Sequence, residues 1–182
     1  MTRQILDAGG VERALSRMAH ELVEAMHGVE HLCLVGIHTG GVPLARRLAD
    51  RMGRISGACP SVGEIDITLY RDDLYTGLEK PVLGETRLPF RVTGATIVLV
   101  DDVLFTGRTV RAAMDELMDF GRPARIALAA LVDRGHRELP IAAGVVGRTV
   151  ETDKTDRVTV RLTETGAEED SVFMERNPGS GQ

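Results

Sequence analysis

Two adjacent carboxylates, Asp101 and Asp102, follow directly on the apolar run Ile97 to Val100, and Thr106-Gly107-Arg108-Thr109 comes just before a helical pattern that begins near Val110. The first N–H groups of a helix have no partner within it and lie at the positive end of its dipole. Gly107, Arg108 and Thr109 can therefore wrap a phosphate, with hydroxyls added by Thr106 and Thr109. The carboxylates can accept hydrogen bonds from a vicinal diol or face a hydrated Mg2+, and their charge favours a positive centre developing on a sugar ring. A ribose carrying a phosphate meets both requirements.

Other meanings of an acidic pair beside a glycine turn fit less well. A Walker loop needs Gly and Lys at spacings absent here, and a dinucleotide fingerprint needs three glycines where this turn has one. In a phosphoacceptor receiver domain the pair follows the first strand, whereas here much of the chain precedes it. The plain alternative is a strand, a capped turn and a helix with two solvated aspartates.

Two more segments carry chemistry. Thr39-Gly40-Gly41 separates an expected strand, His31 to Ile37, from an expected helix, Val42 to Arg54, whose first turn tolerates Pro43. Its bare N–H groups suit an anion, while His38 beside it reads as a loop residue. The cluster Asp133-Arg134-Gly135-His136-Arg137-Glu138 leaves the apolar run Arg125 to Val132. It lacks the spacing of a transition-metal site, and by composition alone it is a solvated loop.

These segments need elements to hold them. Val11, Leu15, Met18, Leu22 and Met26 recur at helical spacing, and the opposite face carries Ser16, Arg17, His20, Glu21 and Glu24. Arg17 with Glu21 and His20 with Glu24 are possible i,i+4 pairs, so that face reads equally as solvated or as a binding surface. Ser61 to Tyr70 alternates as a strand, and the charged stretch from Arg71 to Pro89 has the length of a lid. The helix after Val110 presents Val110, Ala113, Met114, Leu117 and Met118 inward and stops at Gly121. Ala143 to Arg148 is a short apolar element and Arg157 to Thr163 a last strand. Strands alternating with helices imply an α/β fold, a mainly parallel central sheet flanked by helices with ligands at the carboxyl ends of its strands.

Size and composition bound the rest. A chain of 182 residues with 43% apolar content suits a single domain, placed at 1–175, with a loose tail at 176–182. No stretch approaches the ~20 apolar residues of a membrane span and the amino terminus has no signal-peptide core, so a cytoplasmic protein is expected. Cys33 and Cys59 read as free thiols. A net charge of −5 and 3% aromatic residues mean that any RNA site must be a local basic patch.

The stretch Ile97 to Thr109 resembles the phosphoribosyl pyrophosphate (PRPP) loop of type I phosphoribosyltransferases. Val62 to Asp73 and Leu131 to Pro140 resemble, more specifically, those members that regulate pyrimidine operons and are also uracil phosphoribosyltransferases, and the similarity runs from about Ile5 to Leu162. The resemblance implies the type I phosphoribosyltransferase fold, with a flexible loop at about 71–90 and a small hood at about 133–163. It implies that Asp101 and Asp102 hold the ribose hydroxyls, that Thr106, Gly107, Arg108 and Thr109 bind the phosphate, and that Thr39, Gly40 and Gly41 face pyrophosphate with Arg71 assisting. Asp133, Arg134, Val145 and Val146 would border uracil. Mg2+ would be carried by PRPP rather than by a dedicated protein site. Ser16, Arg17, His20, His136, Arg137 and Arg148 match positions of an RNA-binding surface. Three positions depart from family patterns: Gly40 where Arg is usual, Val145 where an aromatic residue usually precedes Val146, and Phe105 where purine-salvage relatives carry Asp.

Two functions follow from the resemblance. One is formation of UMP and pyrophosphate from uracil and PRPP. The other is regulation of pyrimidine-operon transcription, in which a protein sensing UMP or UTP binds the pyr leader mRNA. The family assembles as homodimers and homotetramers. The alternatives are a salvage enzyme with no RNA role and a nucleotide-sensing regulator with negligible catalysis.

Overall fold

The computed structural model describes residues 1–67 and 85–176. Five strands, β2 (Leu32–Ile37), β3 (Ser61–Ile65), β4 (Thr96–Leu104), β5 (Arg125–Asp133) and β6 (Val145–Thr149), form a parallel sheet in the order β3-β2-β4-β5-β6. Helices α1 (Ala8–Ala25) and α2 (Gly41–Ser56) cover one face, and α3 (Arg108–Asp119) covers the other. Strands buried on both faces read as unbroken apolar runs, which is why β2 and the first half of β4 contain no polar side chain beyond Thr96 and the Cys33 thiol.

Side-chain alternation divides the core in two. Leu34, Val98, Val100 and Leu131 point to the α1 and α2 side, where Leu15, Met18, Leu48 and Met52 meet them; Val35, Ile97, Leu99 and Ala130 point to the α3 side, against Ala113 and Leu117. Full burial of such side chains stabilises by about 1.5–3 kcal/mol each, enough to outweigh the weak helix propensity of Gly9 and Gly10 in α1. Asp7 caps that helix by accepting from Gly10 N–H at 2.6 Å. Arg17 and Glu21 pair as expected, at 3.4 Å, whereas His20 Nδ1 lies 2.8 Å from the Ser16 carbonyl instead of meeting Glu24.

The strands differ in length, and this creates the ligand edge. β2 and β4 pair only as far as Gly36 and Val100, while β4 and β5 continue to Leu104 and Asp133. Asp101 and Asp102 are therefore inside β4, not beyond its end, in the part that outruns β2.

A second, antiparallel sheet, β1-β8-β7, is built from β1 (Thr2–Leu6), β7 (Arg157–Arg161) and β8 (Ser171–Glu175). The range 133–163, expected as a hood, divides between the two sheets. β6, within that range, is an edge strand of the main sheet, and the small sheet draws on both ends of the chain. Val145 is a core side chain, 4% exposed, because its pairing opposite Ala129 turns it toward α1. Met118 also departs from expectation: it is 57% exposed while Ala112 is buried, so α3 lies on the sheet rotated toward Ala112. β3 ends at Ile65, and the strand expected as far as Tyr70, with Arg71 and most of the expected 71–90 loop, lies outside the described residues. Among the described residues no helix is long and apolar enough to cross a membrane.

Arg47 of α2 ties the small sheet to the main body. It donates through Nε and Nη2 to the two carboxylate oxygens of Glu164 at 2.7 and 2.5 Å, pairs with Asp170, and reaches Thr163 Oγ1 at 3.1 Å. Its guanidinium holds both carboxyls below their ordinary range. Depressed carboxyl values add stability above the unfolded range, and that stability is lost as pH falls through the folded values. Glu164 is partly in water, so screening trims the effect. Arg47→Met is expected to lower unfolding free energy by about 1–3 kcal/mol at pH 7 and by progressively less as pH falls below the ordinary carboxylate range, which thermal denaturation across that range measures.

Candidate active site

Three loops meet at the carboxyl edge of the parallel sheet: 38–40 after β2, 105–107 after β4 and the segment from Arg134 after β5. The acidic pair lies between the first two. Asp101 is 5% exposed and its Oδ1 accepts from Asp102 N–H at 3.0 Å; Asp102 Oδ1 accepts from Val103 N–H at 2.8 Å. Burial first, and the neighbouring Asp102 charge second, push the Asp101 carboxyl well above the usual carboxylate range; burial raises Asp102 as well. Asp102 faces the glycine turn, where a Cβ on Gly40 would run into its carboxylate. A bare Gly40 thus leaves Asp102 room beside the turn.

The turn from Thr106 to Thr109 leads directly into α3. Gly107 adopts φ 91°, a left-handed value that favours glycine, and the first bond of the α3 ladder runs from Arg111 N–H to Gly107 O. The N–H groups of Arg108, Thr109 and Val110 precede that ladder. Arg108 N–H lies 3.3 Å from Thr106 Oγ1, and the Arg108 side chain donates from Nε to Glu138 at 3.0 Å. Glu138 is held below its ordinary range by Lys154 and then Arg108. The Thr39-Gly40-Gly41 turn opens α2, with Gly40 at the cap position and no side-chain capping bond. His38 leans toward Glu64, 3.7 Å away, where Arg46 also pairs at 3.1 Å.

The residues expected around the base are split. Asp133 ends β5 and takes the Arg137 ion pair and Gly135 N–H at 2.9 Å. Arg134, 6% exposed, stacks over the Phe105 ring at 4.1 Å and donates to the Asp153 carbonyl at 2.9 Å, while its Nε is buried without a partner. Burial lowers its pKa. Val146 is half-buried on β6, level with Asp101 across the sheet. Val145, as described, belongs to the core.

Of the six positions expected on an RNA surface, Ser16, Arg17, His20 and Arg148 are exposed, and Arg17 hydrogen bonds to the Gly147 carbonyl of β6, next to Arg148. His136 and Arg137 turn inward instead. His136, at φ 60°, places Nε2 2.7 Å from the Thr152 carbonyl, and Arg137 collects the carbonyls of Phe105, Gly135 and Ile141. Sequence reasoning missed these contacts and the Phe105–Arg134 stack. The only signal for them was charge density, which does not tell a solvated loop from a folded one.

Among the described residues no group of three or more His, Cys, Asp or Glu side chains gathers as a metal site. The carboxylates of Asp101 and Asp102 are hard oxygen donors of the kind Mg2+ takes, and the space beside Gly40 lets Asp102 face an ion arriving with a ligand in the turn.

A parallel sheet whose central strand brings an acidic pair and a glycine-capped helix start to one edge is the architecture of a phosphoribosyltransferase. The family model described as phosphoribosyl transferase domain matches residues 1–164, and the chain belongs to that family. Within it, relatives bear the name bifunctional protein PyrR: that of Pelotomaculum thermopropionicum is 55% identical over 94% of this chain and 95% of its own, and that of Thermus thermophilus is 54% identical over 95% and 96%. A hypoxanthine phosphoribosyltransferase structure from Staphylococcus aureus shares the fold, with TM-score 0.69 and 16% identity over 97% of this chain and 93% of that one. Family membership implies chemistry dependent on PRPP and Mg2+.

The buried acidic pair gives a pH-dependent signature. A carboxyl whose folded pKa is raised loses stability as pH climbs from its unfolded value to its folded value, at most about 1.4 kcal/mol per pH unit for one proton. Asp101→Asn is therefore expected to melt several degrees above the wild type at pH 8 and close to it at pH 4, as scanning calorimetry at both pH values would register.

Proposed function

We propose that the protein makes UMP and pyrophosphate from uracil and PRPP and regulates pyrimidine-operon transcription by binding leader RNA in response to UMP or UTP. The observation that carries this reading is the acidic pair set one turn back from an open helix start, in a chain more than half identical to bifunctional PyrR proteins.

In the enzyme reaction Asp101 and Asp102 accept hydrogen bonds from the ribose hydroxyls, and the turn from Thr106 to Thr109 holds the 5-phosphate. The Thr39-Gly40-Gly41 amides face pyrophosphate. Asp102, beside Gly40, would face the Mg2+ brought with PRPP, which would supply charge compensation for pyrophosphate. The two carboxylates stabilise the positive charge that develops at the sugar. Asp133, Arg134 and Val146 border the base, with the orphaned Arg134 Nε as a donor for a uracil carbonyl. Phe105 supplies no carboxylate, so turnover relies on positioning and electrostatics and is expected to be slow.

RNA binding is assigned to the exposed face of Ser16, Arg17, His20 and Arg148. A small basic patch on an acidic protein favours a specific leader over bulk nucleic acid. The expected assembly is a homodimer or homotetramer, which light scattering would read.

Two measurements separate the halves. Asp102→Asn should reduce UMP synthesis at least about 100-fold; undiminished synthesis would remove the ribose assignment. Arg17→Gln combined with Arg148→Gln should abolish the shift of a pyrimidine-operon leader in a gel, with UMP present and at physiological salt, while sparing UMP synthesis. A wild-type protein that shifts no leader under those conditions would leave a salvage enzyme alone.

A further inference from the structure

We propose that Arg137 is a positioning residue for the phosphate-binding turn, acting on the substrate through the carbonyl of Phe105; this rests on the reading of that turn as the phosphate site. From within, the turn has a long hydrogen bond from Arg108 N–H to Thr106 Oγ1 at 3.3 Å. Gly107 caps α3 without a side-chain bond, and the helix ladder begins only at Arg111. Its shape is set from outside, by the segment leaving β5.

That segment follows the turn step by step. Arg134 N–H donates to Leu104 O at 3.1 Å, Glu138 and Leu139 N–H both donate to Thr106 O at 3.0 and 3.2 Å, and Ile141 lies so close to Gly107 that an added Cβ would come within 3.3 Å of it. Arg137 stands at the centre. Nη1 donates to Phe105 O at 2.8 Å and to Gly135 O at 3.1 Å, Nε donates to Ile141 O at 3.0 Å, and Nη2 pairs with Asp133. With its side chain 23% exposed, the guanidinium spans the β4 exit and the β5 exit at once.

A planar fork suits this task. Its donors point in fixed directions, so the carbonyl of Phe105 is held at a set angle, which a flexible ammonium cannot reproduce. A phosphate site made of backbone N–H groups depends on how each peptide is turned. Fixing the peptide between Phe105 and Thr106 aims the donors that follow it. The turn meets the phosphate alike in ground and transition states, so loosening it should weaken PRPP binding more than it slows the bound complex.

The test uses Arg137→Lys and Arg137→Gln in the full-length protein. KM for PRPP and for uracil are measured separately, together with kcat, UMP affinity by calorimetry, and melting temperature. The expected result is a KM for PRPP raised about tenfold or more, with UMP affinity falling in parallel, kcat within about threefold, an unchanged KM for uracil, and partial recovery in the lysine variant. Should the glutamine variant not fold, the charge-retaining lysine variant carries the comparison. Unchanged PRPP and UMP binding in a folded variant would overturn the proposal. So would a loss confined to leader-RNA binding, which would make Arg137 a contact for RNA alone. A wild-type protein that bound neither PRPP nor UMP would instead overturn the phosphate-site reading beneath it.

Discussion

Burying a carboxylate at the end of an apolar strand is unfavourable unless its oxygens are satisfied, and the site is shaped by that constraint. Asp101 accepts from the backbone of its neighbour and Asp102 from the residue after it, so each uses the strand's own N–H groups. Burial still raises both carboxyls, and the Asp102 charge adds to it at Asp101. A hydrogen-bond donor or a cation brought to the pair would relieve this arrangement.

Strand length decides where that charge comes to rest. Had β2 run as far as β4, it would have covered the acidic pair with another apolar strand. Instead β2 stops at Ile37, its chain turns through two glycines into α2, and Asp102 takes the space a side chain on Gly40 would need. On the other side β5 keeps pace with β4, and its exit segment closes around the turn at Gly107. The edge is therefore open to ligand on one side and braced on the other. The small sheet, held to α2 by Arg47, sits apart from both and joins the two ends of the chain.

Legibility varied with the range of the interaction concerned. The helix at Ala8–Ala25, the turn at Gly107 and the Arg17–Glu21 pair depend on neighbours within a few residues and were readable from spacing. The departure of Met118 was not, because its neighbour Ala112 lies on the same amphipathic helix and only packing sets the rotation. β1 and β8 are five-residue strands with little alternation, and they exist because each pairs with the other across the whole chain length. Val145 looked like a cap residue by resemblance; its register with Ala129 makes it core.

From its sequence alone this protein's class could be read: a buried strand, two carboxylates, a glycine turn and a helix start are local, and local order follows from residue type and spacing. Which charges remain available to a ligand could not. Arg137 and His136 have the same composition as a solvated loop, and it is the meeting of the β4 and β5 exits that folds them inward while leaving Arg17 and Arg148 at the surface. A guanidinium seeks whatever carbonyls lie within reach, and only the tertiary structure determines which those are.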